Sequence, residues 1–162
     1  ADGYAKIRPI ASHNFRINDY ASYRGMLVMT GIDPKKDKDN EHIIVSEDGK
    51  AAVWAGAIDD LWSMGKPTGK GGPWKNTLVK AGEVSDPYLI GFYDKKNLTL
   101  SHNSQKDVTF TIEIDPTGNG KWVNYTTLTV KPGEKLAYEF QARWIRFSTD
   151  SDTNATAWLE YK

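Results

Sequence analysis

The stretch VTFTIEI, residues 108–114, decides the fold of this chain. Its apolar residues alternate with polar ones, so that Val108, Phe110, Ile112 and Ile114 share one side of an extended backbone. Alternation with a period of two is typical of a strand that buries one face and exposes the other. The stretch therefore predicts a half-buried β-strand.

The segments around this strand follow the same plan and are separated by the turn sequences DPTGNG (115–120) and KPGE (131–134). Further strands are predicted at NLTLSH (97–102), KWVNYTTLTV (121–130), KLAYEF (135–140), RWIRFST (143–149) and ATAWLEYK (155–162). Their predicted inward residues are Leu136, Tyr138, Phe140, Ile145, Phe147, Ala157, Leu159 and Tyr161. Short strands with turns at intervals of about eight to twelve residues favour an antiparallel β-sandwich.

The first half of the chain is less regular but is also rich in strand patterns. GMLVMTGI (25–32) suits a buried strand, and EHIIVSEDGKAAVWAG (41–56) predicts a hairpin around Asp48 and Gly49. A short helical turn is expected at IDDLWSMG (58–65). We therefore predict an all-β chain in which residues 1–80 form an extension of two to four strands. This extension is expected to pack on a sandwich core of residues 81–162, within one compact domain.

Composition excludes several classes of function. Lys plus Arg and Asp plus Glu both number 21, and this zero net charge argues against binding to nucleic acid or to an anionic membrane. Without cysteine, the chain has no disulfide, thiolate nucleophile or Cys-ligated zinc. It has no apolar run of membrane-spanning length. No G-x-S-x-G or H-E-x-x-H motif occurs, and we assign no catalytic residue.

Four longer stretches carry a resemblance to known proteins: residues 13–32, 42–74, 85–102 and 108–122. Together they resemble the C-terminal region of large secreted proteins of polysaccharide-degrading bacteria, in which propeller-type strands run into a β-sandwich. The resemblance implies a secreted or cell-surface accessory module, associated with glycan breakdown and with the remainder of a larger multidomain protein. It defines no catalytic residue.

Aromatic residues supply the first candidate carbohydrate site. Sugars offer apolar C–H faces and a rim of hydroxyls, so a glycan site needs exposed flat rings with polar side chains at their edges. The stretch DDLWSMGKPTGKGGPW (59–74) contains Trp62 and Trp74, with Asp60, Lys75 and Asn76 as edge partners. The alternative is that this stretch folds as a pad against the core. We expect the pad role for Trp62 and exposure for Trp74.

A second candidate site depends on how the last two predicted strands pair. If they form a hairpin across DSDTN (150–154), Trp144 lies opposite Trp158 on the outer face, with Arg146 nearby. The alternative is that the first half of the chain covers this face and buries both rings.

One turn has weak similarity to a calcium loop. Asp115 and Asn119 occupy the first and fifth positions of such a loop, but Thr126 stands where the bidentate Glu belongs. A hairpin turn is the simpler interpretation, and calcium is the alternative. No other cofactor is predicted.

These observations favour a non-catalytic carbohydrate-binding or accessory module of a secreted polysaccharide-degrading protein, with an oligosaccharide or polysaccharide as its partner. Two alternatives remain open. One is a structural domain that docks to a catalytic partner. The other is a glycosidase or polysaccharide lyase whose site the sequence does not reveal.

Overall fold

The computed structural model describes residues 7–36, 39–139 and 141–162. The fold there is all-β, built from three antiparallel sheets, as the sequence predicts. The described residues divide into two compact units: one is Ile10–Lys66, and the other is Pro67–Lys162 together with residues 7–9. Phe140, predicted to face inward, lies outside the described residues. None of the helical structure in the described part of the chain has the length and apolarity of a membrane-spanning helix.

The unit Ile10–Lys66 contains one four-stranded sheet, sheet A, with the strand order β1-β2-β4-β3. Its strands are β1 (Tyr20–Tyr23), β2 (Met26–Ile32), β3 (Ile43–Val45) and β4 (Ala52–Gly56). Strands β3 and β4 form the predicted hairpin, with Gly49 in the left-handed conformation that its turn requires (φ 69°). The predicted helical turn is the 3-10 helix Ile58–Met64.

Trp54 is the centre of the core of this unit. It is 1% exposed and lies between Met29 on β2 and Ile43 on β3, its direct neighbours across the sheet. Phe15, from the segment before β1, and Leu61, from the 3-10 helix, pack against the same cluster. The unit therefore buries an apolar core of its own.

The unit Pro67–Lys162 is the predicted β-sandwich. Sheet B has the strand order β10-β7-β12-β5, and sheet C has the order β6-β11-β8-β9. The strands of sheet B are β5 (Gly69–Val79), β7 (Lys96–His102), β10 (Leu136–Glu139) and β12 (Thr153–Tyr161). Those of sheet C are β6 (Tyr88–Leu89), β8 (Val108–Asp115), β9 (Val123–Val130) and β11 (Trp144–Thr149).

The sandwich core confirms the predicted phase of the strands. Both sheets contribute residues that are no more than 1% exposed, among them Val108, Phe110, Ile112, Ile145, Phe147, Ala157 and Leu159. Leu136, Tyr138 and Tyr161 are partly buried and pack against this cluster, and Ile114 is also partly buried. The alternation read from the sequence therefore separates core residues from outer residues.

Strand β5 belongs to the sandwich unit. Residues 69–79 fall within the stretch that the sequence interpretation assigned to the extension, yet β5 pairs with β12 along its length. The division between the two units lies at Lys66 and Pro67. That the first unit packs on the sandwich stays a prediction.

Candidate functional site

Trp158 lies on the outer face of sheet B. Ala155, Ala157 and Leu159 of the same strand are fully buried, so Thr156 and Trp158 point to the opposite side. The Trp158 side chain is partly exposed. It is thus a ring on the outer surface of the sandwich, which is one of the two alternatives that the sequence analysis left open for this residue.

Polar side chains surround Trp158 on this outer face. Directly opposite Trp158 on β7 is Thr99, and Thr156 and Glu160 face Ser101 and Asn97 in the same way. Paired residues of an antiparallel sheet share a face, so these side chains lie on the same side as the ring. We call the group the sheet B face; its members are Lys75, Asn76, Asn97, Thr99, Ser101, Thr156, Trp158 and Glu160.

A bulge in β5 brings Lys75 and Asn76 to the sheet B face. The pairing of β5 with β12 shifts register opposite Thr156, and Asn76 adopts a left-handed conformation there (φ 53°). The Asn76 backbone N–H donates to the Thr156 hydroxyl at 2.9 Å. The Lys75 ammonium lies 4.8 Å from the centroid of the Trp158 ring. Lys75 and Asn76 are therefore neighbours of Trp158, whereas the sequence interpretation made them edge partners of Trp62 and Trp74.

The expectations for Trp62 and Trp74 are reversed in the structure. Trp74 is 6% exposed and packs 6.0 Å from Phe147, ring centroid to ring centroid, while Trp62 on the 3-10 helix is 48% exposed. Trp74 is buried because it pairs directly with Ala157, which points into the core. The prediction that Trp74 presents its ring to solvent was therefore wrong.

The glycines before Trp74 form part of β5 and do not form a loop. A Cβ atom at Gly72 would overlap the carbonyl oxygen of Ala157, and one at Gly71 would overlap the Tyr88 hydroxyl. Glycine is needed here so that the neighbouring backbone and the Tyr88 ring can approach β5. The stretch is therefore a strand packed closely against its neighbours. Its glycine and proline content had indicated a loop instead.

The predicted pairing of Trp144 with Trp158 is also wrong. Trp144 belongs to β11 in sheet C, where it faces Asp115, whereas Trp158 belongs to β12 in sheet B. The loop between the strands crosses from one sheet to the other. Asp150 accepts a hydrogen bond from the Thr109 N–H on the sheet C side, and Asp152 accepts one from the Ala81 N–H after β5. Trp144 is 7% exposed and offers no ring to a ligand.

Arg146 lies on the outer face of sheet C. Its Nε donates to Glu113 Oε2 at 2.8 Å and its Nη2 donates to Glu113 Oε1 at 3.2 Å, which makes a bidentate pair. The guanidinium carbon lies 4.5 Å from the ring centroid of Trp122, a residue that the sequence analysis did not select. Glu113 and Arg146 both occupy outward positions of their strands. This pattern could have predicted the pair from the sequence.

Asp60 belongs to the other unit. Its Oδ2 accepts the Ala57 N–H at 2.6 Å at the start of the 3-10 helix and lies 3.9 Å from Nδ1 of His42. The His42 ring contacts Trp54 at 5.0 Å between centroids. A cleft of about 540 Å³ lies here, lined by residues that include His13, Asn40, Glu41, His42 and Trp54. Asp60 thus has a structural role at a helix end.

The DPTGNG segment is the hairpin turn between β8 and β9. Asp115 Oδ1 accepts the Gly118 N–H at 2.8 Å, and Oδ2 accepts the Gly120 N–H at 2.6 Å. Burial acts to raise the pKa of Asp115, but these backbone hydrogen bonds outweigh it and hold the pKa below its usual value. Asn119 accepts the Lys121 N–H. Both candidate calcium ligands therefore make hydrogen bonds within the turn.

Within residues 7–36, 39–139 and 141–162, no group of three or more His, Asp or Glu residues is arranged to hold a metal ion.

Comparisons with known proteins give little further information. No protein-family model matches the chain, and no curated protein matches it. Among solved structures, it is similar to the PBSX exported protein XepA, with a TM-score of 0.39 and 15% identity. The match covers 75% of this chain and 48% of the XepA chain, so it spans about half the length of that protein. A TM-score this low carries no argument about function.

Proposed function

We propose that this protein is a non-catalytic carbohydrate-binding module that holds an oligosaccharide or polysaccharide on the sheet B face. The observation that carries the proposal is the position of Trp158, a partly exposed ring on the outer surface of a central strand of sheet B. A pyranose ring can lay its C–H face on an indole, and the rows of side chains on either side can bond its hydroxyls.

The chemistry of the surrounding side chains supports a sugar ligand. Thr99, Ser101 and Thr156 each supply a hydroxyl that both donates and accepts, and Asn97 supplies an amide. Glu160 adds a carboxylate, which accepts hydrogen bonds from sugar hydroxyls. An open face of this kind gives modest affinity, because few ligand atoms become fully buried.

The setting of the module is part of the same proposal. We place it outside the cell, as an accessory part of a larger polysaccharide-degrading protein whose catalysis resides elsewhere. The zero net charge of the chain suits a neutral ligand and gives no electrostatic preference for an acidic polymer.

Affinity electrophoresis tests the proposal. We expect wild-type protein to be retarded in gels that contain one or more of mixed-linkage β-glucan, xyloglucan, galactomannan and laminarin, without release of reducing ends. Trp158→Ala should abolish or strongly reduce this retardation, whereas Trp62→Ala, which removes an exposed ring from the other unit, should leave it unchanged. Mobility that no polysaccharide alters, or release of reducing ends, would contradict the proposal.

A second candidate function is a docking domain, and one observation favours it. Tyr23, Met26 and Ile44 are 57%, 41% and 59% exposed, and they lie on the face of sheet A opposite Trp54. Exposed apolar side chains on one sheet face are typical of a surface that contacts another protein. If the glycan binds to the sheet B face, replacing all three of these sheet A residues with Ser or Thr should leave glycan retention unchanged.

A further inference from the structure

The outer face of sheet C has the same plan as the sheet B face. Phe110 and Ile112 of β8 point into the core, so Thr109, Thr111 and Glu113 point outward. We call the group the sheet C face; its members are Thr109, Thr111, Glu113, Trp122, Thr127, Thr129, Arg146 and Ser148.

Hydroxyl side chains form two rows across this face. Thr111 pairs directly with Ser148 on β11 and with Thr127 on β9, which gives a row of three hydroxyls over three strands. In the next row, Thr109 and Thr129 place their hydroxyl oxygens 3.3 Å apart. Hydroxyls in register on neighbouring strands are suited to a ligand that itself carries regularly spaced hydroxyls.

Trp122, Arg146 and Glu113 form a polar and aromatic shelf beside these rows. Two of the five N–H groups of the Arg146 guanidinium donate to Glu113, which leaves three outside this ion pair. The pair also fixes the guanidinium plane 4.5 Å from the Trp122 ring centroid. The shelf therefore presents hydrogen-bond donors next to a partly exposed ring in a preformed arrangement.

Both faces carry a few charged side chains among uncharged polar ones. On the sheet C face, Glu113 neutralises Arg146 and the hydroxyl rows are uncharged. On the sheet B face, Lys75 lies over Trp158, and Glu160 is paired across the sheet with Lys70. Each face thus combines one partly exposed Trp, one cation against that ring, and hydroxyl side chains in neighbouring rows. A neutral ligand suits both faces equally.

We infer that the sheet C face is a second carbohydrate-binding surface, and that one sandwich therefore binds two neutral polysaccharide chains on opposite sides. The inference rests on the proposed function of the sheet B face. The two sheets pack through a shared buried core, so their outer faces point away from each other. A single extended glycan cannot lie on both faces, and the module should link two chains.

Site counting and cross-linking test this inference. The ligand is a hexasaccharide prepared from whichever neutral polysaccharide retards the wild-type protein, titrated by calorimetry. We expect two sites per wild-type chain, and one site for Trp122→Ala or for Trp158→Ala. Light scattering of wild-type protein mixed with the intact polysaccharide should rise as chains are linked, and each single variant should lose this rise. Trp122→Ala should still be retarded in the gel, because its sheet B face is intact.

Two further variants distinguish loss of the second site from poor folding of Trp122→Ala. Thr127→Lys changes an exposed side chain at the β9 end of the hydroxyl row and should remove the second site even if Trp122→Ala folds poorly. Trp62→Ala should retain two sites. One site per wild-type chain, or two sites in Thr127→Lys, would overturn the second surface and leave the proposed function standing. No retardation by any polysaccharide would overturn both.

Discussion

At the scale of single residues, β8 places side chains with different roles at adjacent positions. Phe110 and Ile112 are 0% and 1% exposed, whereas Thr111 between them faces outward. We expect Phe110→Ala to lower the free energy of unfolding by about 3–5 kcal/mol and Ile112→Ala by about 2–5 kcal/mol. Thr111→Ala should change it by no more than about 0.5 kcal/mol. Urea denaturation measures all three, and equal losses would mean that the strand faces are assigned incorrectly.

The two tryptophans of the 59–74 stretch give a second prediction for single residues. Trp74 packs against Phe147 in the core, so Trp74→Ala should cost about 3–5 kcal/mol of stability. Trp62 is 48% exposed, and its replacement by Ala should cost about 1 kcal/mol or less. Acrylamide quenching of the two single variants gives an independent measurement. The Trp62→Ala variant should be quenched less than the wild type, because the most exposed tryptophan has been removed.

At the scale of elements, the turn between β8 and β9 makes stability depend on pH. Hydrogen bonds to the Asp115 carboxylate hold its pKa below the unfolded value of about 3.9. The stabilisation is therefore complete above the unfolded pKa and is lost as the pH falls through the folded pKa. Asp115→Asn should lower stability by about 1.5–3 kcal/mol at pH 7.

Thermal unfolding from pH 7 to pH 2.5 checks the Asp115 prediction. The difference in melting temperature between the wild type and Asp115→Asn should shrink as the pH falls. Asp107→Asn, at an exposed carboxyl, is the matched control for the loss of charge. A difference that stays constant with pH would show that the carboxylate charge contributes nothing to the turn.

The strands were predictable from sequence, but their partners were not. Alternation is a local property, and it located β8, β11 and β12 with Phe110, Phe147 and Leu159 inward, although Trp144, expected on the outer face, is buried as well. Pairing depends on contacts between distant segments. The short loop before β12 has the length of a hairpin turn, yet β11 before it belongs to sheet C and β12 after it belongs to sheet B. The candidate site around Trp158 could therefore not be assembled from the sequence.

Strand β5 was missed for a different physical reason. Glycine and proline usually interrupt strands, but β5 is the edge strand of sheet B, where Pro73 is tolerated. Gly71 and Gly72 are required by close contacts with Tyr88 and Ala157, which no local pattern reveals.

At the scale of the whole molecule, each unit has a complete core. The large buried cluster of the sandwich draws all its residues from Pro67–Lys162, and the smaller cluster draws all of its own from Ile10–Lys66. We expect residues 67–162, expressed alone, to fold. Far-UV circular dichroism should show a β-dominated spectrum with a cooperative thermal transition. An aggregated or non-cooperative fragment would show that the sandwich needs the first unit.

The Lys75 ammonium lies over the Trp158 ring, which is the surface that a sugar would stack on. Lys75 and the sugar therefore compete for the same ring. A cation on an exposed ring is worth about 0.5–1 kcal/mol, so a sugar that must displace it binds about two- to fivefold more weakly than it would to a bare ring. Lys75→Gln should therefore bind a neutral glycan more tightly than the wild type, and added salt should narrow the gap by screening the cation. Weaker binding by Lys75→Gln in the same calorimetric titration would mean that Lys75 contacts the sugar directly.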